Sequence, residues 1–151
     1  MMKPEQIKQA KVFRNLDNAQ LARLCERGER REIAQGEVVF EEGSKGSEIY
    51  VLLEGRVQCT VKMSRESEQA PVHTAVPGEI VGEFALVADH ERSATIRAMQ
   101  DSVLFVLKRS AFRKLAEEDP RLGYVVLRDM GEILVERIIK TTRELRASLM
   151  F

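Results

Sequence analysis

The feature that most constrains the fold is a change of period in the middle of the chain. Between residues 30 and 108, glycines at 36, 43, 46, 55, 78 and 82 cut the sequence into short segments. In one of them, RVQCTVKM, Val57, Cys59, Val61 and Met63 alternate strictly with Arg56, Gln58, Thr60 and Lys62. A period of two puts one set on a buried face and the other in water, which is a half-buried strand. SEIYVLLEG, bounded by Gly46 and Gly55, and DSVLFVLK are apolar on both faces and predict strands covered on both sides. Short strands punctuated in this way predict an antiparallel sandwich or barrel, with a single helical turn at FALVA.

The flanks return to a helical period. In residues 4–29, Asp17 followed by Gln20 is a capping-box pattern. It opens QLARLCERG, with Leu21, Leu24 and Cys25 on one side and Gly28 as the stop. In residues 109–151, Ser110 is the expected N-cap of AFRKLAEED, and Pro120 restarts the chain. From Arg121 to about Ser148 no proline interrupts, which gives a helix on the order of 40 Å long. Its apolar positions include Val126, Met130, Ile133, Leu134, Ile138, Leu145 and Leu149, and Glu136–Lys140 and Lys140–Glu144 are surface pairs. A small β domain does not need so long a stripe. Gly131 in mid-helix costs about 1 kcal/mol relative to alanine and marks an expected close helix–helix approach. The expectation is a parallel homodimer through residues of about 121–148, the alternative being a long helix lying across its own domain.

Composition bounds the function. The 151 residues suit one domain, with 44% hydrophobic and 32% charged residues as in a soluble globular protein. Lys+Arg 24 equals Asp+Glu 24, so there is no basic excess for nucleic acid. Cys25 and Cys59 give neither a disulfide framework nor a zinc signature, and His73 and His90 fall in no metal-ligand cluster. No nucleophilic triad has credible spacing, so an enzyme is not expected. GSKGS at 43–47 is not a P-loop, because it precedes a strand. The polar start MMKPEQIKQAK is not a signal peptide, and no apolar run reaches membrane length. The expected location is cytoplasmic, without a cofactor.

One stretch, GEIVGEFALVADHERSAT from Gly78 to Thr95, carries two charges that need explaining. In RSATIRAM, Arg92, Ala94, Ile96 and Ala98 share a face, and the apolar members mark it as inward. A buried guanidinium requires an anion or good acceptors. Two are open to it: Glu83, or the phosphate of a ligand. Gly82 and the turn that starts at Glu83 offer free backbone N–H groups and an unobstructed approach for an anion. A carboxylate beside a bound phosphate suits a sugar hydroxyl. One anion, one sugar and an apolar wall together point to a nucleotide.

These residues resemble the phosphate-binding cassette of the cyclic nucleotide-binding domain family, which includes bacterial catabolite activators and the regulatory subunits of cAMP-dependent protein kinase. The family pattern stands here as Gly82-Glu83-Phe84-Ala85-Leu86, a loop VADHE, then Arg92-Ser93-Ala94-Thr95. GEVVFEEGSKGSEIYVLLEGRVQC is similar to the first half of the family's β-roll, VFRNLDNAQLARL to its N-terminal helical segment, and the tail from Phe112 to its B and C helices. The resemblance covers roughly residues 12–148. It implies a mainly β fold: a jelly-roll-like antiparallel β-roll (a double-stranded β-helix) over residues 30–108, with the cassette at 78–95, N-terminal helices and C-terminal helices. It implies that Glu83 takes the ribose 2′-hydroxyl. Arg92 would take the cyclic phosphate, with the Ala85 amide and Ser93. Val61, Val81 and Cys59 would wall the base, and the C helix would close over it near Arg137 and Ile138.

The expected function is a stand-alone cAMP or cGMP sensor that works through movement of its C-terminal helices onto a downstream protein, without DNA-binding or membrane segments. Ligand would draw the cassette inward, and Leu86 and the helices after Lys108 would repack. The rivals are an adaptor that acts through protein contacts, as at the apolar SLMF end, and a DNA-binding regulator.

Overall fold

The computed structural model describes residues 2–63 and 68–150; Phe151 of the SLMF end lies outside them. Two short helices, α1 (Pro4–Lys8) and α2 (Asn18–Arg27), precede six strands: β1 (Glu29–Ile33), β2 (Val38–Phe40), β3 (Glu48–Glu54), β4 (Val57–Lys62), β5 (Gln69–Ala75) and β6 (Ile80–Val81). The single turn α3 (Phe84–Val87) follows, then β7 (Thr95–Ala98), β8 (Ser102–Lys108), α4 (Arg109–Glu118) and α5 (Pro120–Leu149). The strands form two four-stranded antiparallel sheets, ordered β1-β8-β3-β6 and β2-β7-β4-β5. The mainly β roll with flanking helices is therefore as the sequence predicts.

The two all-apolar strands lie where that pattern requires. Tyr50 and Leu52 of β3, with Leu104 and Val106 of β8, point between the sheets against Val57, Ile96 and Ala98. The alternate residues Ile49, Val51, Leu53, Val103, Phe105 and Leu107 point the other way, under the helices. There they meet Phe13, Leu21 and Leu24 from the N-terminal segment, Leu86 of α3, and Phe112, Leu115, Leu122, Val126 and Met130 of the C-terminal helices. This second core joins the cassette turn to α4 and α5.

Helix ends follow local chemistry. Asp17 accepts from the Gln20 amide while the Gln20 side chain accepts from the Asp17 amide, the expected capping box. Pro120 starts α5 at its first position, with Asp119 accepting from Leu122 N–H. Ser110 is not a cap: α4 begins at Arg109 after Lys108, whose side chain makes no capping bond. The close helix–helix contact also differs from expectation. A Cβ on Gly123 would stand 2.7 Å from the Cβ of Ala116, so α4 and α5 meet at Gly123, whereas among the described residues nothing lies within 4 Å of a Cβ at Gly131. Of the two predicted α5 ion pairs, Lys140–Glu144 forms at 3.9 Å. The predicted dimer stripe is divided. Val126 and Met130 are buried in the chain's own core, with Ile133 and Leu134 partly so, while Ile138 is 65% exposed.

Candidate functional site

Arg92 is 7% exposed, and its seat is built by the 43–48 loop. The Arg92 amide donates to Ser44 O at 2.8 Å, and Gly43 N–H donates back to Arg92 O at 2.8 Å. The guanidinium lies 4.2 Å from the centroid of the Phe40 ring. Two glycines make room for it: a Cβ would come within 2.6 Å of Nη2 at Gly46 and 2.8 Å of Nη1 at Gly82. Gly82 also holds φ at +71°, a region that side-chain-bearing residues avoid. Nη2 donates to Glu48 O at 2.9 Å and Nη1 to Gly82 O at 3.4 Å. Nε is buried with no hydrogen-bond partner among the described residues. Burial pushes the guanidinium down from its ordinary value, but an arginine in a protein keeps its charge. Among the described residues, a desolvated cation is thus held by two carbonyls and two aromatic rings, Phe40 and Tyr50, and no carboxylate.

Glu83, the internal partner open to Arg92, is taken elsewhere. Its Oε1 accepts from Arg137 of α5, whose other nitrogen donates to Ile80 O at 3.0 Å. Glu83 lies at the head of α3, where the Ala85 amide donates to Gly82 O at 3.2 Å and the Leu86 amide to Glu83 O at 3.1 Å. Arg109, the first residue of α4, donates to Ala88 O at 2.9 Å and to Ala85 O at 3.3 Å, so α4 holds the far end of the cassette turn.

Arg92, the head of the cassette turn and α5 line an open cavity of about 530 Å³, with Ile133, Arg137 and Thr141 of α5 over it. Gly82, Glu83, Phe84, Ala85, Arg92, Ser93, Val81, Cys59 and Arg137 all reach it. Val61 and Ile138 do not. Val61 lies past the end of the β4–β7 ladder, which stops at Thr60 and Thr95. Ile138, one position on from Arg137, is turned about 100° round the helix into solvent. Sequence reasoning missed Phe40, Ile96 and His73 in the lining. Ile96 was already on the inward face of RSATIRAM, so its presence was readable. Phe40 and His73 depend on which strands pair. Cys59 is kept a thiol by burial, then by the nearby Glu83 charge, which push it up to about 11. Among the described residues, no group of three or more His, Cys, Asp or Glu stands close enough to hold a metal, and no helix is long and apolar enough to cross a membrane.

Comparison with known proteins agrees with this geometry. The family model of the cyclic nucleotide-binding domain matches residues 30–119. An uncharacterized NTE family protein of Mycobacterium bovis is 27% identical over 136 residues, which cover 89% of this chain and 22% of that protein. An uncharacterized ABC transporter ATP-binding protein of the same organism is 34% identical over 100 residues, 66% of this chain and 28% of that one. The chain thus spans between a fifth and a third of the length of these curated relatives. Among solved structures, the catabolite activator protein of Thermus thermophilus is 25% identical with a TM-score of 0.80, covering 91% of this chain and 62% of that one. A cyclic nucleotide-binding domain from Methylobacillus flagellatus has a TM-score of 0.83 at 23% identity, covering 95% and 80%, a likeness of fold.

Proposed function

The chain belongs to the cyclic nucleotide-binding domain family, and from that premise we propose that it is a receptor for cAMP or cGMP that signals through its C-terminal helices. One observation carries the reading: Arg92 is a buried cation without a carboxylate partner among the described residues, facing a cavity large enough for a nucleotide. A structural arginine buried in this way would be paired. Here Nε has no partner among the described residues and is the donor left for an equatorial oxygen of a cyclic phosphate as the cassette is drawn in, with Ser93 beside it. Ala85 N–H is the further donor, and it would exchange its 3.2 Å bond to Gly82 O for the phosphate.

Glu83 takes the ribose 2′-hydroxyl and remains bonded to Arg137, so the sugar, Glu83 and α5 form one series. Drawing the cassette toward the phosphate moves Leu86 within the core it shares with Phe112, Leu115 and Val126. It also moves the Ala85 and Ala88 carbonyls that Arg109 holds. The output is a new position of α4 and α5. A ligand shifts that equilibrium only by its differential affinity for the two states. Within this reading the domain does no chemistry of its own, and the effector is a protein contacted by the moved helices.

Calorimetric titration with cAMP, cGMP and cyclic dinucleotides tests the proposal. We expect cAMP or cGMP to bind with a dissociation constant around micromolar, on the order of 8 kcal/mol. No binding of either mononucleotide at millimolar concentration would overturn it, in favour of an adaptor that works through protein contacts alone.

A second titration tests the ribose assignment. Glu83→Ala is expected to weaken binding of the parent nucleotide by about 1.5–3 kcal/mol, the scale of a hydrogen bond to a charged group. It should cost the 2′-deoxy analogue almost nothing. An equal loss for both ligands would show that Glu83 does not meet the 2′-hydroxyl.

A further inference from the structure

Two carboxylates lie within electrostatic reach of Arg92, and each is drawn off by another arginine. Burial pulls the Arg92 guanidinium down from its ordinary value, and Tyr50, Glu48 and Glu83 pull it back up. Glu83 is bonded to Arg137. Glu48 is bonded to Arg31 of β1, whose Nη2 stands 3.3 Å from Glu48 Oε2. The first pair belongs to the cavity and to the reading above. The second lies behind the site, and nothing so far has used it.

Glu48 meets the two arginines with different atoms. Its carbonyl accepts from Arg92 Nη2 at 2.9 Å, while its carboxylate accepts from Arg31. The side chain therefore starts one hydrogen bond away from the Arg92 guanidinium and is turned from it. Strand register explains the turn. Arg31 stands opposite Leu104 of β8, and Leu104 stands opposite Leu52 of β3. Directly opposed residues share a face, and Leu52, Tyr50 and Glu48 alternate along β3, so Arg31 and Glu48 lie on the same inter-sheet face. Both guanidiniums rest on the Tyr50 ring, Arg92 at 5.8 Å and Arg31 at 6.0 Å from its centroid. Glu29, two residues before Arg31, anchors it at 2.6 Å. The Arg31 and Glu48 side chains are 38% and 28% exposed, and a pair so open to water is weak by itself. Its importance comes from what Glu48 would otherwise meet, a desolvated cation whose Nε has no partner among the described residues.

We propose, as a deepening of the nucleotide-receptor reading on which it rests, that Arg31 is a positioning residue for the ligand's phosphate: it holds the Glu48 carboxylate off Arg92 and so keeps that guanidinium open to an anion. A carboxylate on Arg92 would occupy donors that the phosphate needs and would repel it. Affinity then falls in proportion to the molecules in which Arg92 is already paired. Arg31 and Glu48 lie outside the cavity lining, so the effect runs through Arg92 and not through contact with the ligand.

The test is a cycle of variants of the whole chain, titrated with cAMP and cGMP. Arg31→Met keeps an unbranched stem against Tyr50 but cannot hold a carboxylate. It should weaken binding of the preferred nucleotide about fivefold, as expected if Glu48 pairs with Arg92 in about four molecules of five. Arg31→Lys keeps a cation for Glu48 and should bind within about twofold of the wild type. Glu48→Gln alone should bind as the wild type does. Arg31→Met combined with Glu48→Gln should regain wild-type affinity, a rescue that damage to strand packing would not show. The proton on Arg92 Nε, located in NMR spectra by its disappearance in Arg92→Ala, reports the same exchange without ligand. Its resonance should move in Arg31→Met and return in the double variant. Unchanged affinity in Arg31→Met, or a loss that Glu48→Gln does not repair, overturns this inference and leaves the receptor reading standing. A resonance that moves and returns, in chains that bind neither nucleotide at millimolar concentration, overturns the receptor reading alone. A resonance that stays in place in such chains overturns both.

Discussion

Arg92→Ala is expected to weaken binding of the preferred cyclic nucleotide by roughly 2–4 kcal/mol, or about 30- to 1,000-fold. The size follows from the site. The guanidinium is already desolvated, so little further dehydration is needed when the phosphate arrives. Arg92→Lys should recover only part of the loss, because an ammonium cannot present the planar fork that a phosphate engages. Stability separates a ligand-binding arginine from a structural one. Breaking a buried ion pair costs about 3–5 kcal/mol. Among the described residues Arg92 has no carboxylate to leave behind; it meets the Glu48 and Gly82 carbonyls and the Phe40 and Tyr50 rings. The ligand-free Arg92→Ala protein should therefore lose less than about 2 kcal/mol in denaturant unfolding. Tight binding by the variant, or a stability loss on the ion-pair scale, would show that Arg92 serves the fold instead of the ligand.

How much of this was readable from the sequence depends on how far apart in the chain the interacting groups lie. The alternation in RVQCTVKM and the two-faced apolarity of SEIYVLLEG and DSVLFVLK report local geometry, and the strands formed where they pointed. The Asp17–Gln20 box and Pro120 are likewise local. Glu83 and Arg92 lie close enough in sequence for their joint presence at one site to be inferred, but their partners do not. Glu83 is claimed by Arg137, and Arg92 rests on Phe40 and on the loop at 43–46, which the sequence showed only as something other than a P-loop. Val61 and Ile138 missed the cavity for the same reason. A period places a residue on a face, but it does not say where along a strand the ladder ends or which way a helix is rotated. The Gly131 contact failed on rotation too, since Gly123, eight positions earlier, faces α4.

That rotation re-aims the dimer expectation. With Val126 and Met130 turned into the core, one stripe left on α5 is Leu127, Gly131, Leu134, Ile138, Thr141 and Leu145, spaced alternately by four and three positions, with Val135 and Ile139 exposed as well. This is the spacing of a two-helix coiled-coil seam. Leu127, Ile138 and Leu145 are 42%, 65% and 58% exposed, more than a single copy has reason to leave in water. Space beside Gly131 admits a second helix. We expect a parallel homodimer along this seam at tens of micromolar. A two-fold axis presents the same face twice, so one substitution acts on both sides of the contact. Ile138→Asp would bury two like charges near the axis and should give monomers in sedimentation. It is a better probe than Leu134→Asp, because Leu134 also packs on its own core and its loss would confound assembly with folding. The Ile138→Asp monomer should unfold within about 0.5 kcal/mol of the value for a surface substitution that leaves the core intact. Arg137, which faces the cavity, adjoins this seam on the same helix, and Thr141 belongs to both the seam and the cavity lining. A change in α5 on ligand binding would thus be felt directly by the partner copy, and Ile138→Asp should retain nucleotide binding while losing any dependence of its affinity on protein concentration. A wild type that sediments as a monomer at tens of micromolar, with or without nucleotide, would mean that the exposed stripe serves another partner.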